Sequence, residues 1–227
     1  MSGRTLLLML AVAAGLASAS AAQVQTKESQ AAMTPVKAVE ALKEGNVRFL
    51  EGKRKVRNLN AKVIATAAGQ YPFAAVVSCM DSRAPVELVF DQGIGDVFSL
   101  RVAGNVIDTN FLGSLEYAAK VTGAKLIVVM GHTSCGAIKG AIDDVQLGNL
   151  TALLAEIQPA IAAAGPPRGT SKDKAFVERV AEQNVRLGMK DIREKSPVLR
   201  QMLDAGTIGL VGAMYEVETG KVVFYAD

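Results

Sequence analysis

The sequence predicts an α/β fold in which a mostly parallel central sheet is flanked by helices and preceded by an N-terminal helical extension. Three observations predict it. Residues 73–78, 97–102 and 125–130 are short apolar runs without alternation, the pattern of strands covered on both faces. Helical stretches lie between and after them. Strands that alternate with helices pair in parallel through right-handed crossovers, which puts helices on both faces of the sheet.

Residues 1–22 are set aside as a cleaved export signal. Arg4 supplies the positive start, residues 6–16 are an apolar stretch of eleven, and Ala17-Ser18-Ala19 and Ala19-Ser20-Ala21 both fit small-x-small cleavage. The stretch falls short of the roughly 20 residues a bilayer span needs. A soluble periplasmic protein with no stable membrane association is expected. Residues 23–33, polar and Ala-rich, read as a flexible lead-in to a single domain over residues 34–227.

Within that domain Thr34-Pro35 is a helix start, an N-cap followed by proline where a missing N–H costs nothing. Val36, Val39, Leu42, Val47 and Leu50 continue it at helical spacing. The basic run Lys53, Arg54, Lys55, Arg57 reads as a solvated turn and is given no function. After the second apolar run, residues 111–121 read as a helix ending at Gly123. Further helices are expected over residues 137–143, 147–164, 173–195 and 197–205. Residues 208–217 and 222–225, joined by a turn at Glu218-Thr219-Gly220, close the chain as a strand pair with one member at an edge.

Composition narrows the function. Half of the 227 residues are apolar, which excludes a disordered chain, and 25 Lys and Arg against 22 Asp and Glu leave a net charge of only +3. Nothing in that balance points to nucleic acid.

The chain has one histidine and two cysteines, and His132 stands three positions before Cys135. Two cysteines in an oxidising compartment raise the prospect of a disulfide between Cys79 and Cys135. Their surroundings point elsewhere. Cys79 and His132 close two predicted strands, at the sheet edge where α/β proteins bind ligands. The His-x-x-Cys spacing lets one turn aim both side chains at a point, and Gly136 permits a tight backbone there. Two sulfurs and an imidazole suit zinc, one ion per chain, and leave a fourth position open as catalytic zinc sites do. Asp81 and Arg83 follow the first cysteine closely. Asp81 could fill the fourth position or pair with Arg83, and the residues alone leave both open.

Cys79-x-Asp81-x-Arg83, followed about fifty residues later by Gly131-His132-x-x-Cys135-Gly136, resembles the signature of the β-class carbonic anhydrases. The likeness extends to Gly45-Asn46-Val47-Arg48-Phe49, Gly95-Asp96-Val97-Phe98, Arg101-Val102-Ala103-Gly104-Asn105 and Glu116-Tyr117-Ala118. It implies a β-carbonic-anhydrase-like fold and zinc held by Cys79, His132 and Cys135. The implied reaction is reversible hydration of carbon dioxide to bicarbonate by zinc-bound hydroxide, with Asp81 and Arg83 as the catalytic dyad. It further implies a substrate pocket of Gln70, Phe98, Ala103, Gly104 and Tyr117 at the interface of a homodimer, with dimers able to pair into a tetramer. A subgroup of the family has tryptophan three residues before the first cysteine, as part of a regulatory bicarbonate pocket. This chain has Val76 there and no tryptophan, which favours Asp81 paired to Arg83. Competing readings are a non-catalytic zinc-binding periplasmic protein, a thiol–disulfide protein, and a same-fold hydrolase of another small heterocumulene such as carbon disulfide.

Overall fold

The computed structural model describes residues 24–225; the expected export signal lies outside them. Among the described residues five strands form one sheet in the order β2-β1-β3-β4-β5. These are β1 (Ala74–Ser78), β2 (Val97–Arg101), β3 (Leu126–His132), β4 (Gly209–Tyr215) and β5 (Val222–Tyr225). The first four run parallel, and β5 returns antiparallel as an edge.

The alternation expected of a two-sided sheet is explicit in the packing. Ala74, Val76, Leu126, Val128 and Met130 face one apolar layer, which contains Leu42 and Phe90. Ala75, Val77, Ile127 and Val129 face the other, with Leu115, Val185, Met189 and Ile192. Both faces are therefore dry, which explains why these strands read as unbroken apolar runs.

The helices follow from local signals. Thr34 caps α2 (Pro35–Leu50), Asp108 caps α5 (Thr109–Glu116), and Asp173 caps α9 (Lys174–Lys195). A wider π turn, Tyr117–Val121, extends α5, and Gly123, at φ +89°, ends it. After β3 come α6 (Gly136–Ile142), α7 (Gly148–Ala155) and α8 (Gln158–Ala163); α10 (Pro197–Asp204) follows α9.

Four expectations change. The lead-in over residues 23–33 contains helix α1 (Lys27–Ala31), opened by a reciprocal Thr26–Ser29 capping box, and buried Gln30 donates to the Pro72 carbonyl at 2.7 Å. The single helix expected over residues 147–164 is two, because Pro159 supplies no N–H and its ring crowds the Ala155 carbonyl. Helices α3 (Leu59–Thr66) and α4 (Val86–Val89) were not foreseen; the apolar residues Leu59, Val63 and Ile64 of α3 face outward, so no buried periodicity marks it. The basic run is also more than a solvated turn. Arg57 and Arg48 pair with buried Asp91, which also accepts the Lys55 N–H.

One buried side chain ties α2 to the edge strand β5. Asn46 donates to the carbonyls of Val89 at 3.1 Å and Gly220 at 2.9 Å, and accepts the Val222 N–H at 2.9 Å. Beside it, Gly45 lets the helix close on Phe90, whose carbonyl oxygen would lie 1.8 Å from an added Cβ. Asn46→Ala strands two carbonyls and one N–H away from water. It should lower unfolding stability by about 2 to 4 kcal/mol, read from urea titration; a change within about 0.5 kcal/mol would mean that these bonds are replaced by water.

Candidate metal centre

The sheet builds the centre by register. Ser78, the last residue of β1, lies opposite Met130, so Cys79 emerges beside the end of β3, where His132 is the final strand residue. Thr133 and Ser134 then turn the chain into α6, for which Cys135 is the N-cap. The backbone freedom expected of Gly136 falls elsewhere: Ser134 takes the left-handed conformation, at φ +54°, and Gly136 has open space around it. Gly131 is the glycine the packing requires, since a Cβ there would meet Met214 Sδ and Val185 Cγ2, each at 2.8 Å.

Cys79, His132 and Cys135 are all buried, and one donor atom from each lies within 4.8 Å of the others. The two sulfurs are 4.0 Å apart and unbonded. His132 Nδ1 is committed to the Thr133 carbonyl at 2.9 Å. Nε2 is buried and has no hydrogen-bond partner among the described residues. Such a group is costly unless something outside the protein satisfies it. The zinc implied by the resemblance fits this donor set: bonds of about 2.3 Å to each sulfur in a tetrahedral site place the sulfurs about 3.8 Å apart.

The two thiols share one problem of charge. The Cys135 thiol donating to Cys79, aided by His132 and the N–H groups of Gly104 and Asp81, outweighs burial and pulls Cys79 below the usual thiol range. That first thiolate, together with burial, pushes Cys135 far up. A divalent cation held by both sulfurs would remove the conflict by stabilising both thiolates.

Asp81 stands at the lip. Arg83 grips it in a fork, Nε to Oδ1 at 2.9 Å and Nη2 to Oδ2 at 2.7 Å, and the Arg83 backbone N–H adds a third bond at 2.9 Å. This grip holds the carboxyl well below the usual carboxylate range and raises Arg83 in turn. Asp81 Oδ2 remains 3.8 Å from His132 Nε2, so the carboxylate is beside the donors while bound to the guanidinium.

The remaining residues of the expected pocket divide. Gly104 is at the centre, its N–H 3.4 Å from Cys79 Sγ, and Ala103 precedes it in the same short turn, Ala103–Asn105. Phe98 and Tyr117 meet edge to face at 6.4 Å and line an open cavity of about 440 Å³ with Leu100 and Ser114. Phe98 pairs with Ala75, near the start of β1, well short of the metal donors. Exposed Gln70 precedes β1 altogether. Within a single chain Gln70, Phe98 and Tyr117 thus lie apart from the metal donors, while Ala103 and Gly104 lie beside them.

Three supporting residues escape a sequence reading. Arg101 donates from the neighbouring strand to the carbonyls of Cys79, at 3.0 Å, and Asp81, fixing the loop that carries both. Tyr215 donates to the Arg83 carbonyl at 3.1 Å, and Asn184 on α9 donates to that of Gly104 at 2.7 Å. All three act on backbone atoms, and only the run containing Arg101 formed part of a recognisable motif.

Comparison with known proteins agrees with this fold and site. Residues 74–222 match the family model described as carbonic anhydrase. Carbonic anhydrase 2 of Mycobacterium tuberculosis is 37% identical over 195 residues, covering 83% of this chain and 92% of its own. The carbonic anhydrase of Mycolicibacterium smegmatis is 38% identical over the same length and coverage. Among solved structures, a tetrameric β-carbonic anhydrase of Sordaria macrospora superposes with a TM-score of 0.67 at 27% identity, covering 72% of this chain and 85% of that one. A β-carbonic anhydrase of Aspergillus fumigatus gives 0.65 at 28%, covering 85% and 91%. The chain belongs to the carbonic anhydrase family, in its β class.

The Asp81–Arg83 pair has a definite pH signature. A carboxylate depressed below its unfolded value of about 3.9 contributes stability above that pH and loses it as the pH falls through the folded pKa. Arg83→Gln should move the Asp81 titration up toward the ordinary range, read from the carboxyl carbon resonance of metal-free protein. A titration left in place would show that the fork is not its cause.

Proposed function

We propose that this carbonic anhydrase binds one zinc ion per chain through Cys79, His132 and Cys135 and hydrates carbon dioxide reversibly to bicarbonate and a proton. The observation that carries this reading is the buried, unpartnered Nε2 of His132 facing two buried sulfurs, with a charged carboxylate held at the lip. When bound, zinc supplies the Lewis acidity that makes water a nucleophile near neutral pH.

The chain's own residues do the rest. Asp81, kept ionised and turned by Arg83, accepts the hydrogen bond of the attacking water and aims its lone pair at the carbon of carbon dioxide. Because Arg83 holds it as a carboxylate, Asp81 orients the proton without keeping it. His132 is the chain's one histidine and is committed to the metal. The released proton therefore leaves through water to buffer.

Carbon dioxide needs an apolar wall, and within one chain the aromatic pair Phe98 and Tyr117 lies away from the donors. A second copy supplies Phe98, Tyr117 and Gln70. This is supported by the half-exposed edge strand β2 and by Tyr117, which is 49% exposed in the single chain. The working form is thus a homodimer, with pairing of dimers compatible with it. Residues 1–22 act as the export signal and the mature enzyme works in the periplasm. Among the described residues no helix is long and apolar enough to cross a membrane.

Protein recovered from the periplasmic fraction tests these points together. It should begin between residues 20 and 23, sediment as a dimer or larger, and hydrate carbon dioxide in a stopped-flow indicator assay. Asp81→Asn should keep its zinc and lose about 100-fold in kcat. Full activity in that variant would remove the role given to Asp81. A monomer with full activity would do the same for the second copy, and a chain that retains residues 1–22 would do so for export.

A further inference from the structure

Gly104 occupies a position that it cannot hold by itself. Its backbone is left-handed, at φ +69° and ψ 14°. Any Cβ there would approach Ile157 Cδ1 to 2.7 Å and Ala137 Cβ to 3.3 Å, so only glycine fits. Glycine is also the residue with the widest backbone freedom. Yet its N–H must point at Cys79 Sγ, 3.4 Å away in a buried setting.

What fixes it comes from the far side of the chain's sequence. Asn184, 7% exposed on the 22-residue helix α9, donates its amide to the Gly104 carbonyl at 2.7 Å. The N–H of Gly104 is thereby pinned on the sulfur side and its carbonyl on the helix side. Helix α9 is in turn locked into the core by Phe176, Val180, Val185, Met189 and Ile192.

We infer that Asn184 is a positioning residue of the metal centre, which through Gly104 holds a backbone N–H on the Cys79 sulfur and so sets how strongly that sulfur donates to a bound metal. The inference deepens the proposed function and rests on its metal assignment. Two thiolates neutralise the formal charge of a divalent ion and weaken it as a Lewis acid. A hydrogen bond to one of them withdraws charge from the sulfur and restores part of that acidity. The buried, low-dielectric setting strengthens the bond.

A residue that merely satisfied a buried carbonyl would affect stability with or without metal. Sulfur donation has its own readout, the thiolate-to-metal charge-transfer band of cobalt-substituted protein. Asn184→Leu should move that band to longer wavelength, because a sulfur without its hydrogen bond holds its electrons less tightly. Asn184→Ser, whose hydroxyl is too short to reach the Gly104 carbonyl, should behave the same way and serves if the leucine variant does not fold. An unmoved band with equal destabilisation of the metal-free and zinc-loaded proteins overturns the inference. A wild-type cobalt protein with no sulfur charge-transfer band overturns the metal assignment and this inference with it.

Discussion

Three donor groups are buried together at the carboxyl ends of β1 and β3, and the chain gives them no adequate partners. Among the described residues the imidazole Nε2 of His132 has no hydrogen-bond partner, and the two sulfurs, 4.0 Å apart, share one proton, with the Gly104 N–H as a further donor to Cys79. Burying such groups unsatisfied is expensive. The structure tolerates it because the backbone around them is fixed by other means: β3 is buried on both faces, β1 is paired on both sides, and the turn after His132 is held by bonds from Thr133 to Tyr215 and from Val217 to Thr133. The cluster is thus a site prepared by the fold, with binding free energy of a cation available to offset its cost.

The same economy separates two carboxylate roles that compete. Asp81 is close enough to His132 to matter and has the right chemistry to bind a metal, but Arg83 satisfies both of its oxygens. Arg101 on β2 and Tyr215 on β4 hold the carbonyls of Cys79, Asp81 and Arg83, which fixes the backbone of the short loop, while Arg83 holds the carboxylate itself.

Much of this was legible in the sequence, for identifiable reasons. The parallel strands announced themselves as unbroken apolar runs because both sheet faces are covered, and the helix starts at Thr34 and Asp173 carried capping residues. Cys79, His132 and Cys135 are visible because they are the chain's two cysteines and one histidine, at or just after predicted strand ends, and Asp81 and Arg83 because they follow Cys79 at the spacing of a recognisable motif. Helix α3 was not, since its apolar residues face outward and its one buried member is Lys62, paired with Asp96. Asn184 and Tyr215 were invisible because they act on distant backbone carbonyls, which no local spacing encodes. Gln70, Phe98 and Tyr117 are named from the resemblance alone, and within one chain they lie apart from the metal donors, a separation that no local sequence pattern encodes.

The claim on which the rest depends is that these three side chains hold zinc. X-ray absorption at the zinc edge of protein purified without added metal tests it most directly. The account predicts one zinc per chain, with two sulfur neighbours at about 2.3 Å and an imidazole nitrogen with one further light atom at about 2.0 to 2.1 Å. Folded, metal-free protein with Cys79 and Cys135 joined in a disulfide would contradict it.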